Sequence, residues 1–336
     1  MNEAFEKLKP GESVWCRLKS PMPGGYLVTL TPTEIEGFLP SHDPIDIGRT
    51  VPTTFVCMDG DKALLTYAFV LGTTARVQVS TASDPENAFS VWADSYPNGI
   101  RLRRAVDLFM PPVGTSPLLQ KIAANTAVDF FDSLEKASFT GVVKANCQEH
   151  FSRSACLFLE GRAVGIIYTT KHSQETYPMV TGLKKMMEDL SDAEGDLEMY
   201  ELPIEIVLSM SSLFLGYLDR SAEDSSNAEH AEKMLSHFAT ENATACFSII
   251  DQDLKTEALA FVHDGRFKGA YEITDRRFSE DKAFFKQLLE KHDSSQLKIY
   301  ILPAAMISEA IRFGYSLNSE QFAKEEAPKS SANSST

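Results

Sequence analysis

The chain has 336 residues, which is too long for one ordinary domain, and its 43% apolar residues can bury several hydrophobic cores. Its 32 Lys and Arg residues against 47 Asp and Glu residues give a net charge of −15. This acidic balance argues against strong nonspecific binding of nucleic acid through its phosphates, although it leaves room for a local positive patch.

Five short strands are predicted within residues 1–72, because apolar and polar residues alternate there. The predicted strands are Glu12–Leu18, Tyr26–Leu30, Ile35–Leu39, Val51–Met58 and Ala63–Ala68. The pair Asp59-Gly60 is a strong signal for a hairpin between the last two strands. Two glycines before the second strand, Gly24 and Gly25, permit the bend that a small closed barrel requires.

The second and third predicted strands carry a resemblance to a known family. They read Gly-Gly-Tyr-Leu-Val-Thr-Leu from Gly24 and Gly-Phe-Leu-Pro-Ser from Gly37, separated by a turn of six residues. Residues 11–67 thereby resemble an S1-type RNA-binding domain, with its strands in the family's order. The resemblance implies a five-stranded OB barrel whose surface aromatics stack on the bases of single-stranded RNA.

The S1 resemblance also implies a set of contact residues. Aromatics on the second and third strands of that family stack on bases, and Tyr26 and Phe38 match two of these positions. The candidate RNA contacts are Arg17, Lys19, Tyr26, Phe38, His42, Arg101 and Arg103. Pro23 and Pro40 stand where another aromatic and a histidine are often found in the family. The alternative for the two aromatics is that they are partly buried packing residues of the barrel.

Residues 73–115 are predicted to form a small β-rich extension of the barrel. The strand-like runs are Arg76–Ser80, Phe89–Ser95 and Ile100–Phe109, and Tyr96-Pro97-Asn98-Gly99 supplies a turn. The last run contains the basic cluster of Arg101, Arg103 and Arg104. These arginines either extend an RNA track from the barrel or form a solvated face paired with acids.

The remainder of the chain contains an internal repeat. The run from Ala155 to Tyr168 aligns with the run from Ala258 to Tyr271, and the later string Tyr-x-Leu-Pro occurs at Tyr200 and again at Tyr300. Each copy is predicted to read helix, strand, strand, strand, helix, strand, helix. The predicted helices are Pro117–Lys136, Tyr177–Leu190, Ile204–Leu218, Ala228–Ala239, Ser279–His292 and Ala304–Phe313.

Each copy has a glycine hairpin turn followed by arginine, at Gly161-Arg162 and Gly265-Arg266. This pattern faintly resembles the PATAN-type domains of bacterial signalling proteins, which implies a bacterial source and a signalling role. Two interpretations of the arginines are open. They display a positive charge to an anion or partner, or they form ion pairs with acidic neighbours.

Sequence motifs for catalysis are lacking in this chain. No P-loop, Gly-x-Gly-x-x-Gly, Gly-x-Ser-x-Gly or His-Glu-x-x-His motif is present. Cys147-x-x-His150 is the only compact pair of zinc-ligand types, and it has no counterpart in the second copy. We therefore expect no enzymatic activity, no cofactor and no metal. The convergent nucleophile, base and orienting group of an active site are not predicted.

Five cysteines are scattered along the chain, mostly within apolar runs, and are predicted to be reduced core residues. Residues 1–9 have no apolar signal-peptide core, and the most apolar segment, Ile204–Leu218, is shorter than a membrane span and carries Glu205. These features predict a cytoplasmic protein without membrane association.

The sequence therefore predicts a multidomain α+β protein. The predicted domains are an S1-like OB barrel at 1–72, a β-rich extension at 73–115, α/β repeats at 116–222 and 223–318, and a disordered tail at 319–336. Two functions from different classes stay open. One is weak binding of single-stranded RNA by the barrel, with the acidic repeats regulating it or binding a partner. The other is a protein-interaction or signalling scaffold, including a homodimer, whose barrel does not bind RNA.

Overall fold

The computed structural model describes residues 8–22, 25–41, 44–59, 61–66, 85–95, 116–173, 177–219, 226–253, 255–307, 313–318 and 322. Its N-terminal part is a closed barrel of five strands in the order β1-β2-β3-β5-β4. These strands are β1 (Ser13–Met22), β2 (Gly25–Thr31), β3 (Glu36–Pro40), β4 (Thr50–Asp59) and β5 (Lys62–Thr66). β3 and β5 run parallel, and the other neighbours run antiparallel. The predicted closed barrel is confirmed, and its strand order is compatible with an OB-like fold.

Helix α1 (Pro85–Ser95) replaces the strand predicted at Phe89–Ser95, so that prediction was wrong. Ala88, Phe89, Trp92 and Ala93 are all buried, and this spacing places them on one side of a helix. The strands predicted at 76–80 and 100–109, together with the basic cluster, lie outside the described residues.

The first α/β unit, residues 118–215, contains a five-stranded sheet in the order β6-β10-β7-β8-β9. Its elements are β6 (Leu118–Ile122), α2 (Ala127–Lys136), β7 (Gly141–Cys147), β8 (Ser152–Leu159), β9 (Arg162–Thr170), α3 (Met179–Asp192), β10 (Gly195–Glu201) and α4 (Ile204–Leu215). The helix predicted over Pro117–Lys136 therefore begins only at Ala127. The segment before it pairs antiparallel with β10, and this long-range pairing overrides its local helical pattern.

The second α/β unit, residues 217–307, contains a six-stranded sheet in the order β11-β16-β12-β13-β14-β15. Its elements are β11 (Tyr217–Asp219), α5 (Asn227–Glu241), β12 (Thr244–Ile250), β13 (Thr256–His263), β14 (Arg266–Glu272), β15 (Arg277–Ser279), α6 (Lys282–Lys291), β16 (Gln296–Leu302) and a 3-10 helix (Ala304–Ile307). Two helix predictions need correction here. The helix predicted to end at Leu218 ends at Leu215, and the helix predicted over Ala304–Phe313 is a 3-10 turn in its described part.

Glycine hairpin turns join β8 to β9 and β13 to β14, as predicted. Glu160 and Gly161 have φ values of 48° and 81°, and Asp264 and Gly265 have values of 50° and 68°. Two successive positive values define a tight turn that suits the twist of a hairpin. A Cβ atom on Gly161 would lie 2.2 Å from the Cα of Glu135, so the turn packs directly on α2.

Helix α4 lies between the two sheets and contacts β8 and β9 on one side and β12, β13 and β16 on the other. Every residue from Ile206 to Leu215 is buried. The apolar helix α4 is therefore buried on several sides, and it joins the two α/β units into one core. At the end of the described chain, Tyr315 exchanges two backbone hydrogen bonds of 2.8 Å with Ala163 of β9.

The cysteines, Cys16, Cys57, Cys147, Cys156 and Cys246, are all buried and unpaired, as predicted. Burial raises the pKa of the Cys16 thiol to about 11 and that of Cys57 to about 12, so both are protonated at neutral pH. Among the helices of the described ranges, none has the length and apolarity needed to cross a bilayer.

Candidate functional site

A row of exposed side chains runs along the outer face of β1. Trp15, Arg17 and Lys19 alternate with the buried Cys16 and Leu18, as the pleat of a strand requires. Trp15 is 56% exposed, which is unusual for the largest side chain. An exposed tryptophan followed on the same face by an arginine combines an aromatic ring with a positive charge, the pairing that stacks on bases and attracts phosphates.

Strand β2 supplies a threonine beside this row. Thr29 lies opposite Arg17 on β1 and opposite Glu36 on β3, so the three residues share one face of the barrel. Lys19 crosses over to Glu36, with its ammonium 3.2 Å from the carboxylate. The Thr29 hydroxyl is buried and has no hydrogen-bond partner among the described residues. We name the group formed by Trp15, Arg17, Lys19 and Thr29 the β1 face.

Tyr26 does not belong to the β1 face. It is directly opposite Leu39, and both are on the side of the hairpin that faces the barrel interior with Val28. Its hydroxyl accepts a hydrogen bond of 2.8 Å from the backbone amide of Ile45. Tyr26 therefore packs at the end of the barrel core and anchors the loop before β4.

Phe38 comes directly before Leu39, the residue opposite Tyr26, and neighbouring residues of a strand point to opposite faces. Phe38 therefore lies on the outer side of β3, and the two rings that were predicted to stack on bases are on opposite faces. The Phe38 ring packs against the ring of Tyr217 in β11, with centroids 5.4 Å apart. Strand β4 of the barrel also contacts α1, and Val56, Cys57 and Leu64 belong to the same buried cluster as Phe89 and Trp92 of that helix. This side of the barrel is thus packed against the rest of the chain.

The remaining predicted contacts, His42, Arg101 and Arg103, lie outside the described residues. Of the candidate set, the structure brings together Arg17 and Lys19, and it separates both from Tyr26. Sequence reasoning missed Trp15 as a site residue. The signal was available, because the alternation of β1 already put Trp15 on the polar face with Arg17.

A half-buried cluster of polar side chains surrounds the carboxylate of Asp189 in the first α/β unit. Asp189 on α3 accepts hydrogen bonds from the hydroxyls of Ser152 and Tyr168, the latter at 2.6 Å, and its other oxygen lies 3.6 Å from Nδ1 of His150. Burial, followed by the bond to Asp189, raises the pKa of Tyr168. Ser152 donates to the carboxylate and is buried, so it is not placed as a nucleophile activated by histidine. The cluster attaches α3 to the strands beneath it.

The predicted turn arginines differ between the two units. Arg162 donates to the backbone oxygen of Gly314 at 2.9 Å and pairs with Glu135 at 3.1 Å. It therefore ties α2 to the C-terminal segment, and its partner is Glu135 rather than the neighbouring acid. Arg266 at the second turn is exposed. In the described part of the chain, no group of three His, Cys, Asp or Glu residues is arranged to hold a metal ion.

A depression of about 580 Å³ lies on the open face of the first sheet, beside β6. Charged side chains of both signs line it, including Lys144, Arg153 and Glu198, together with Leu119. Lys121 on β6 pairs with Asp196 at 3.3 Å on the neighbouring strand.

No known protein-family model and no curated protein matches this sequence.

Proposed function

We propose that this chain is a non-enzymatic binding protein whose S1-like barrel binds single-stranded RNA through the β1 face. The observation that carries the proposal is the exposed Trp15 on the same strand face as Arg17 and Lys19. Stacking of a base on an aromatic ring contributes about 1 to 3 kcal/mol, and one arginine adds a phosphate contact. Binding through so small a site is weak, in keeping with the acidic balance of the chain.

Thr29 adds a polar contact to this proposal. Its buried hydroxyl lies between Arg17 and Glu36 and lacks a partner among the described residues. Because this hydroxyl is covered in the free chain, a ribose hydroxyl or phosphate oxygen bound at the β1 face would supply that partner only once the neighbouring side chains move aside. The surface ion pair between Lys19 and Glu36 is worth only about 0 to 1 kcal/mol, so Lys19 can exchange it for a phosphate at little cost.

The two α/β units are proposed to be a tandem duplication that serves for regulation or partner binding. The support comes from strand order, because β6-β10-β7-β8-β9 corresponds position by position to β11-β16-β12-β13-β14. The positive-φ hairpin turns at Gly161 and Gly265 occur at equivalent places and pack on α2 and α5 respectively. A PATAN-like identity for these units is a finer proposal that rests on the turn pattern alone.

Tryptophan fluorescence offers a direct test, because the chain has two tryptophans and the other one, Trp92, is fully buried. Unlabelled oligouridine added at low salt should quench the Trp15 emission as bases stack on the ring. Trp15→Ala should weaken binding roughly 5- to 140-fold, measured by anisotropy with labelled RNA, whereas Trp15→Phe should retain part of it. Arg17→Ala should reduce the slope of log affinity against log salt by about 0.7.

Three further variants, one within the site and two outside it, complete this test. Thr29→Val should weaken RNA binding without lowering the melting temperature, because it removes a buried hydroxyl that lacks a partner. Phe151→Ala removes an exposed aromatic from the first α/β unit and should leave binding unchanged. Phe38→Ala should leave the binding site itself intact. Absence of quenching and of any anisotropy change at low salt would show that the barrel does not bind RNA.

The second candidate function is a protein-interaction scaffold. The contact between Phe38 and Tyr217 favours it, since the barrel uses an outer aromatic to pack within the chain rather than to bind RNA. The same titration separates the two functions, because a scaffold with an inactive barrel gives no change in Trp15 emission on addition of RNA.

A further inference from the structure

The edge of the first sheet has an apolar surface that the proposed RNA site does not use. β6 pairs with β10 on one side, and no described strand pairs with its other side. Leu118 and Leu119 are 62% and 70% exposed, and as neighbours in a strand they belong to opposite faces of the sheet. An edge strand with exposed backbone groups and leucines is a template for the addition of another strand.

The second sheet shows how the chain covers the corresponding edge. β11 is the edge strand beside β16, just as β6 is the edge strand beside β10. Tyr217 of β11 packs against Phe38 of the barrel. The barrel therefore contacts the edge strand of the second unit. Within the described ranges, nothing takes that role for β6.

The sequence of β6 is self-complementary for antiparallel pairing. A two-fold axis at Gln120 places Leu118 beside Ile122 of a second copy, and Leu119 beside Lys121 of that copy. The ammonium of Lys121 is already held by Asp196 at 3.3 Å, so its methylene stem is free to cover a leucine. No two like charges of β6 come directly opposite each other in this register.

We propose that two copies of this chain pair through antiparallel β6 strands about a two-fold axis at Gln120. The two five-stranded sheets then form one continuous sheet, and the exposed leucines become buried. Such isologous pairing is the commonest symmetry of homo-oligomers. This inference does not depend on RNA binding by the barrel.

The strength of the pairing follows from its size and charge. Five paired residues bury less than the roughly 1,200 to 2,000 Å² of a standard interface, so we expect a reversible dimer with a dissociation constant on the order of 10 μM. Each copy carries a net charge of −15, and this repulsion is screened by salt. The dimer should therefore strengthen as salt rises, whereas RNA binding should weaken.

Cysteine cross-linking tests the register. Gln120→Cys places two thiols directly opposite each other, at about 5 Å between Cα atoms, which suits a disulfide. Mild oxidation should therefore link this variant into a covalent dimer, because the native cysteines are all buried. Leu118→Cys moves the thiols to about 14 Å apart in the same register, and Ser236→Cys places one on exposed α5. Neither should cross-link efficiently, and equal cross-linking of all three variants would overturn the proposed register.

Sedimentation velocity over a concentration series tests the interface without cross-links. The wild-type chain should shift from 37.2 kDa to twice that mass as its concentration rises. Leu118→Asp places a carboxylate beside Ile122 of the second copy and should raise the dissociation constant at least about a hundredfold, since it removes a leucine that the dimer buries from each copy. Ile47→Asp, at a residue 53% exposed on the barrel, is the matched control and should dimerise normally. A wild-type chain that stays monomeric at 100 μM and high salt, or a dimer insensitive to Leu118→Asp, would refute the proposal.

Discussion

Val207→Asp should abolish the native fold at room temperature or lower its melting temperature by tens of degrees. Val207 is fully buried in α4, which lies between the two sheets. Burying an unpaired carboxylate at this position costs several kcal/mol. Whole domains are stable by only about 5 to 15 kcal/mol. Because α4 contacts both sheets, both α/β units should lose protection in hydrogen exchange.

The matched control is Ile204→Asp on the same helix. Ile204 is the first residue of α4 and is 43% exposed, so an aspartate there stays in water and lies at the favourable end of the helix dipole. This variant should melt within a few degrees of the wild type. Circular dichroism and scanning calorimetry measure both variants. Native melting of Val207→Asp would contradict the placement of α4 between the sheets.

Trp92→Ala should destabilise the protein by about 3 to 5 kcal/mol. Trp92 is fully buried on α1, and its indole nitrogen donates a 2.5 Å hydrogen bond to the backbone oxygen of Leu215 at the end of α4. Its side chain belongs to the same core as Val56 and Leu64 of the barrel. The substitution therefore leaves a cavity and an unpaired carbonyl where α1, α4 and the barrel meet. Urea unfolding monitored by circular dichroism measures the decrease in the free energy of unfolding directly.

Trp92→Phe separates the two causes of this loss, because it keeps most of the apolar volume and removes the hydrogen bond. It should cost about 1 to 3 kcal/mol. Limited proteolysis of Trp92→Ala should release the barrel as a fragment before the α/β units are cut. If Trp92→Ala unfolds at the wild-type urea midpoint, α1 does not connect these parts of the molecule.

The barrel and the hairpins were predictable because their signals are local. Alternation of buried and exposed residues, such as Cys16 and Leu18 against Trp15 and Arg17, requires only a strand with one buried face. The turns at Gly161 and Gly265 were likewise predictable, since two successive positive φ angles favour glycine. The start of α5 carries a local signal of the same kind, because Ser226 forms a capping box with Glu229 three residues later.

The wrong predictions concern segments whose local pattern suits two structures. Phe89–Ser95 alternates like a strand, yet Ala88, Phe89, Trp92 and Ala93 also fit one side of a helix, and packing against α4 and the barrel favours the helix. The segment Leu118–Ile122 is apolar enough for either conformation, and pairing with β10 makes it a strand. Such pairings join residues far apart in the chain, so no short window of sequence contains them.

The candidate site divides in the same way. The residue types were readable from the alternation of β1 and β2, which already groups Trp15 with Arg17 and Tyr26 with Val28. Whether each aromatic ring is exposed to solvent could not be predicted, because exposure depends on contacts with residues far away in the sequence. Phe38 is packed against Tyr217, a residue of another unit, while Trp15 on the same barrel stays in solvent. Strand periodicity assigns a side chain to a face, but only the packing of whole units settles whether that face meets water or protein.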